Sequence, residues 1–502
     1  MFLNRQVQHQ MLSIGVLFIA FLTYYNGYEN PDKLLWDENY HITSAYKYLN
    51  HIFFMEPHPP LGKLIIALGE WFAQLLFGIN VEVNNAAIVN VEHIKDTPIN
   101  FSFSGLRFFP VLFSVFSALI FFNIVCQLIK NHWIAFLFTF FYLFDNSLIV
   151  HSRSVMLESI QLFFILAAIY YFLLRLEKHN SAIHYFILGV IIGLAVAVKV
   201  NSLILLLLFP FLFFYPLFCR FLLNQKNKIE PLQKIKIFSL IKSLLNNGLA
   251  LLVAIFMVVA ISFYLHFFLG TELSENKYDA SAEYISVIKN KQTRDLSNYW
   301  MMLKENLSYM SEYEKNVPRY KAYDKDENGS LAFAWPFAYK AISYRWDKEG
   351  ELTQYLYLFA NPLIWLFALL GFILSVVYLL AIVFFQLPIK DKKNLYLIAG
   401  FSCLYVSYML VMFQIERVMY LYHYFIPLIF SMFLFFLVFK QIFLLNNKFN
   451  KRLLYLGLII LSIEIYYCYT VFKPLSYHQP ISANEFERLQ WFDYWDLKVV
   501  LN

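Results

Sequence analysis

Asp37 and Glu38 stand side by side in WDENYH, about nine residues past an apolar N-terminal segment, which puts two carboxylates near a membrane surface. Neighbouring side chains point in different directions, so one acid can take a proton from a hydroxyl while the other positions a substrate or pairs with a cation. A solvated pair of loop acids is the plainer alternative. Further on, His58-Pro59-Pro60 leads into Leu61-Gly62-Lys63. The prolines fix an extended approach to a helix start, and a helix N-terminus with a lysine beside it suits a phosphate. Arg107 in SGLRFFP and Arg153 in HSRSVMLES mark the outer ends of apolar segments, where an arginine can reach lipid headgroups or hold an anion. Glu158 lies about one turn deeper and needs a cation or a water-filled cavity; Arg153 is a candidate partner close in sequence. His423 follows the Glu416-Arg417 turn inside an apolar run, flanked by Tyr420, Tyr422 and Tyr424, whose rings suit an interfacial belt or a sugar. HExxH, paired CxxC and glycine-rich phosphate loops are all absent, so no metal site or nucleotide fold is expected.

These residues need a membrane scaffold to position them. Of 502 residues, 60% are hydrophobic and only 15% charged, with a mean hydropathy of +0.55, against about 25% charged in soluble domains. That excludes a soluble or disordered protein, and four scattered cysteines (Cys126, Cys219, Cys403, Cys468) exclude a disulfide framework. Apolar segments near residues 11–28, 105–129, 133–150, 155–174, 183–198, 201–218, 248–269, 356–384, 395–414, 418–439 and 453–472 predict about eleven helical spans. The first reads as an uncleaved anchor, because it lacks a small-residue cleavage site.

Basic residues then sort the connectors. Lys130; Arg175 and Lys178; Arg220, Lys226, Lys228, Lys234, Lys236 and Lys242; Lys390, Lys392 and Lys393; and Lys440, Lys448, Lys451 and Arg452 fall on one side, which the positive-inside rule makes cytoplasmic. The short connectors opposite hold Arg153, Lys199 and Arg417. The N-terminus is then cytoplasmic, and 29–104, 270–355 and the tail 473–502 face outward. Residues 61–79 carry Leu61, Leu64, Ile65, Leu68 and Phe72 on one stripe and Lys63, Glu70 and Gln74 opposite, the pattern of an amphipathic helix lying in the interface rather than crossing. The chain divides into an N-terminal membrane module, 1–269, with the catalytic first outer loop 29–104; an outer cap, 270–355, helical or mixed; a four-helix membrane module, 356–472; and the tail, whose Trp491 and Trp495 are expected to anchor it to the interface. Sequons at Asn306 and Asn328 lie in the cap.

Taken in order, WDENYH (36–41), HPPLGK (58–63), GLRFFP (105–110), SRSVMLES (152–159), AVKVNSL (197–203), FAWPFAYKAISYRW (333–346), NPLIWL (361–366) and YLYHYFIPLI (420–429) resemble the protein O-mannosyltransferase family, glycosyltransferase family 39. The resemblance spans most of the chain, and HPPLGK after an acid pair and the tryptophan-proline segment before NPLIW are its more specific parts. It implies an all-α polytopic membrane protein of the C-type glycosyltransferase fold, in the bacterial-type form without a β-trefoil domain, since 270–355 is too short for one. It implies a polyprenyl-phosphate mannose donor, a secreted or membrane protein acceptor and a surrounding lipid bilayer, with no cofactor, no metal and no nucleic acid partner. The site it implies is at the outer face of the plasma (inner) membrane. By this resemblance Asp37 would be the general base and Glu38 a contact to acceptor or donor, and His58, Lys63, Arg107, Arg153, Glu158, Arg345 and His423 are expected to bind substrate. Transfer to Ser or Thr would invert the sugar.

Two other readings compete. A related lipid-linked sugar transferase acting on lipid A or a cell-wall glycan would share the fold and the acid loop. A secondary transporter would show repeated halves and mid-bilayer acids, and the acids here gather at the outer surface instead.

Overall fold

The computed structural model describes residues 4–226, 237–274, 280–320, 328–446 and 449–498. Lys228, Lys234, Lys236 and Lys448, counted above as cytoplasmic, lie outside the described residues. Among the described residues, nine helices are long and apolar enough to cross a membrane, and His132–Leu143 with Asn146–Ser152 makes a tenth as a pair bent by 62°. The remaining expected span is the apolar helix Ala182–Val198, 17 residues long, or about 25 Å at 1.5 Å per residue against a hydrocarbon core of about 30 Å. Each segment read as a span is therefore largely helical, while nine or ten meet the length of a full crossing.

The bend has a local cause. Asp145 caps a fresh helix by accepting from Leu148 N at 3.0 Å, and its other oxygen accepts from Trp365 Nε1 at 2.9 Å. The many phenylalanines pack against one another where helices cross, as where Phe138 and Phe436 stack with centroids 4.4 Å apart. Residues 356–358, expected inside a span, belong instead to a strand; the helix begins at Pro362, a residue suited to a first turn.

The first span leads into an outer loop that carries two helices of more than ten residues. Helix α1 (Arg5–Ala20) ends in a wider turn through Tyr25, the chain then crosses to α2 (Glu38–Leu49), and α3 (Leu61–Phe77) closes on Gly78 at φ 65°. Helix α3 is amphipathic in the sense expected, yet its polar side meets protein rather than water: Lys63 and Glu70 are buried, while Leu68, Trp71, Leu75, Leu76 and Phe77 are exposed. Its close packing on Ser104–Ile129 requires Gly105, where an added Cβ would lie 2.4 Å from Glu70 Oε2 and 2.6 Å from Ala73 Cβ.

The outer cap is mixed. It contains the helices Ala282–Lys289 and Leu296–Asn316 and a hairpin of β1 (Ile342–Glu349) and β2 (Leu352–Leu358), to which the tail adds β3 (Pro480–Ile481) in the antiparallel order β1-β2-β3. Asn306 is fully buried and bonded to the Glu56 backbone in both directions, so its sequon is closed to a glycan. Trp495, expected at the membrane interface, is instead buried against Phe359 and Phe472, because the tail folds back under the sheet; Trp491 stays exposed.

Candidate active site

The acid pair divides its labour as adjacent residues can. Glu38 opens α2 and is fully buried. Its Oε1 and Oε2 accept from Arg107 Nε and Nη2, both at 2.8 Å, and also from the backbone N–H groups of Val155 (2.8 Å) and Leu35 (2.9 Å). Arg107 spends its remaining donors on the carbonyls of Glu29, Pro31 and Lys33 at 2.8 to 2.9 Å. Both were expected to contact substrate; here bidentate pairing and complete burial engage each with the other, and together they bind the loop 29–37 to the helix Ser104–Ile129.

Arg153 is also committed. It donates to Tyr24 O and Asn26 O at 2.9 Å and to Gly27 O at 2.5 Å, and lies 4.7 Å over the Tyr477 ring. It therefore caps the end of the first span and does not pair with Glu158. Lys63 is buried at the start of α3, paired with Glu56 at 2.8 Å and donating to Ser44 at 3.1 Å, so a phosphate would have to displace Glu56 to reach it. Arg345 grips Asp347 (2.6 and 2.7 Å) and the Leu34 carbonyl (3.2 Å), acting on the loop rather than in the recess.

What remains is a different set. Asp37 caps α2 without using its side chain there, is half-buried, and makes no ion pair among the described residues. Burial first, then the nearby charge of Glu158, pushes its carboxyl up to about 6, against the pull of Lys199, the Trp36 N–H and Lys63. Glu158 pairs with Lys199 through Oε1 and with His151 Nε2 at 2.7 Å through Oε2, and His151 Nδ1 meets the Tyr344 hydroxyl at 2.5 Å. His58 is pushed down to about 3 by burial and by the Lys199 and Lys63 charges, so it faces the same group as a neutral ring.

Aromatic rings wall this recess. Trp36 stacks on Tyr344 at 5.5 Å and meets Tyr420 edge-on at 5.3 Å. Tyr422 stacks on His151 at 4.9 Å and on His423 at 4.6 Å, with Lys199 Nζ 5.6 Å from its ring centre. His423 Nδ1 bonds the Tyr420 backbone, so this histidine is a wall member whose other nitrogen is not so engaged.

The structure thus brings Asp37, His58, Glu158 and His423 together and sends Glu38, Lys63, Arg107, Arg153 and Arg345 to the supporting framework. Sequence reasoning missed His151 and Tyr344 and counted Lys199 only for sidedness. A lysine inside AVKVNSL, amid apolar residues, was the available signal for the last; nothing local marks the other two. Among the described residues no cluster of His, Cys, Asp and Glu is arranged to hold a metal ion.

The comparisons agree on the family. Curated relatives include Protein O-mannosyl-transferase 1 of Danio rerio, 30% identical over 197 residues, covering 38% of this chain and 26% of that protein. Dolichyl-phosphate-mannose--protein mannosyltransferase 6 of Saccharomyces cerevisiae is 28% identical over 154 residues, 30% of this chain and 19% of its own length. The chain therefore matches about a quarter or less of the length of these relatives. One chain of the S. cerevisiae protein O-mannosyltransferase Pmt1-Pmt2 complex bound to the sugar donor superposes with a TM-score of 0.75 at 14% identity, covering 99% of this chain and 93% of that one, so the fold is the C-type glycosyltransferase fold. A second family model, for the C-terminal four transmembrane region of protein O-mannosyltransferases, matches residues 300–495. Since the model for dolichyl-phosphate-mannose-protein mannosyltransferases spans residues 14–272, just over half of the sequence, the chain belongs to that family.

Proposed function

We propose that this protein transfers mannose from a polyprenyl-phosphate donor to Ser or Thr hydroxyls of secreted or membrane proteins at the extracytoplasmic face of the membrane. The observation that carries the reading is Asp37: a half-buried carboxylate without an ion pair, poised at about 6, beside the Glu158–Lys199 pair in a recess walled by aromatic rings. A base that works near neutral pH needs that environment.

In the transfer step the acceptor hydroxyl gives its proton to Asp37 while its oxygen bonds the anomeric carbon. The bond from that carbon to the phosphate oxygen breaks, and its electron pair leaves with the polyprenyl phosphate. Attack opposite the phosphate inverts the sugar, as in inverting glycosidases, and turns a β-linked lipid mannose into an α-mannoside. Phosphate is a good leaving group, so it needs positive charge rather than a protonating acid. Lys199 supplies it; its charge bears on both Asp37 and His58. The basic connectors on the opposite side support a cytoplasmic N-terminus.

The test is transfer of radiolabelled mannose from polyprenyl-phosphate mannose to a Ser/Thr-rich peptide by membranes containing wild type or Asp37→Asn. Chelator-resistant label on the peptide, lost in a folded Asp37→Asn protein, is expected. Full activity in that variant removes Asp37 from the mechanism, and label appearing in lipid instead moves the acceptor to the lipid A or glycan class.

A further inference from the structure

Strand β1 touches both sides of the recess, and one residue makes both contacts. The register of β1 on β2 slips between Ser343 and Arg345, so Tyr344 is the extra residue of a β-bulge, a device that re-aims a side chain beside an active site. The bulged Tyr344 is buried. Its ring lies face to face on Trp36, the residue before Asp37, with planes 10° apart. Its hydroxyl reaches into the membrane module to His151, and through His151 to Glu158 and Lys199. The neighbouring β1 residues hold the same loop by its backbone and side chains: Arg345 donates to the Leu34 carbonyl, and Asp347 pairs with Lys33 at 3.1 Å.

The direction of the chain of hydrogen bonds follows from the groups. Burial raises the Tyr344 hydroxyl well above its ordinary value, so it keeps its proton and donates to His151 Nδ1. With Nδ1 accepting from Tyr344, the imidazole carries a proton on Nε2 and donates it to Glu158 Oε2. With Oε2 held this way, only Oε1 remains to pair with Lys199. Free of that restraint, the carboxylate could turn both oxygens onto the ammonium and cover the charge a phosphate would use.

We propose that Tyr344, acting through His151, is a positioning residue that fixes the Glu158–Lys199 pair for the donor phosphate and sets its alignment with Asp37. The cap is in this sense part of the donor site. The inference rests on the function proposed above, in which Lys199 meets the phosphate.

The experiment measures equilibrium binding of polyprenyl phosphate to the purified full-length protein, which needs no turnover, alongside kcat, acceptor KM and melting temperature. The variants are Tyr344→Phe, which keeps the stack on Trp36 and loses the hydroxyl, His151→Phe, and His151→Gln, whose amide can accept from Tyr344 and donate to Glu158. Tyr344→Phe is expected to weaken polyprenyl-phosphate binding and lower kcat, each about tenfold, the scale of one hydrogen bond in a charged network, with acceptor KM and melting temperature unchanged. His151→Gln should recover part of what His151→Phe loses, which a merely structural role for a packed ring would not give. Wild-type binding and kcat in Tyr344→Phe, or equal losses in His151→Gln and His151→Phe, overturn the inference while leaving the proposed function standing. A wild-type protein that does not bind polyprenyl phosphate overturns both. Should Tyr344→Phe melt at a lower temperature, the two His151 variants decide.

Discussion

At the scale of single residues, two adjacent acids differ because one finds a cation and the other does not. Glu38 is neutralised by Arg107 and by backbone donors, which is the condition for a carboxylate to sit in a protein interior. Asp37, one residue earlier, faces the recess, and burial raises it to about 6. A general base works in its charged form, and a raised value means that form is lost sooner as acid is added. The transfer rate, measured as kcat/KM, is therefore expected to fall as pH drops through about 6 and not near 4, where an ordinary aspartate titrates. His58, pushed down to about 3, stays neutral over the same range and adds no second limb. An acid limb near 4 would show that Asp37 is not the base or is not desolvated.

At the scale of elements, the long loop between the first two spans has a small apolar core of its own, where Ile42, Tyr46, Ile66, Ile88 and Phe101 are buried together, and arginines tie its first stretch to the spans. Arg107 reaches from its helix to three loop carbonyls and Glu38, and Arg153 does the same for residues 24–27. Arg107→Ala leaves a buried carboxylate without its cation, held only by the Val155 and Leu35 N–H groups, and strips three carbonyls of their donor, so a stability loss of about 3–5 kcal/mol is expected, with inactivity following from a displaced loop. Thermal unfolding in detergent checks this: a variant that is inactive but melts like wild type would return Arg107 to the substrate. The start of α3 was well marked in the sequence, where Pro60 precedes the first turn. The next span's start was obscured at 356–358, where Leu356, Tyr357 and Leu358 read as apolar span but form a strand buried on both faces and paired with β1. Helix α3 shows the same limit. Its two faces were legible, whereas the burial of the polar one against protein depended on Tyr46, Asn80 and Gly105, which belong to other segments.

At the scale of the whole molecule, the recess lies between a membrane module and a cap, and both must face the same compartment for the proposed reaction. With Ser297→Cys in the cap and Lys178→Cys in a basic connector, both exposed positions, a membrane-impermeant maleimide applied to intact cells is expected to label the first and spare the second. The reverse pattern would place the recess inside. The order of the motifs, the apolar segments and the sidedness of the basic residues belong to the sequence alone, because hydropathy and charge act locally along the chain and need no partner. So do Asp37 and the HPPLGK turn as candidates for chemistry. Which cation meets which carboxylate was decided only by the tertiary structure. Arg153 is five positions from Glu158 yet turns to the first span, while Lys199, 41 positions away, pairs with it, and Tyr344 reaches His151 across 193. A buried charge takes the partner that helix packing brings within hydrogen-bonding distance, and sequence spacing carries no information on that across separate helices.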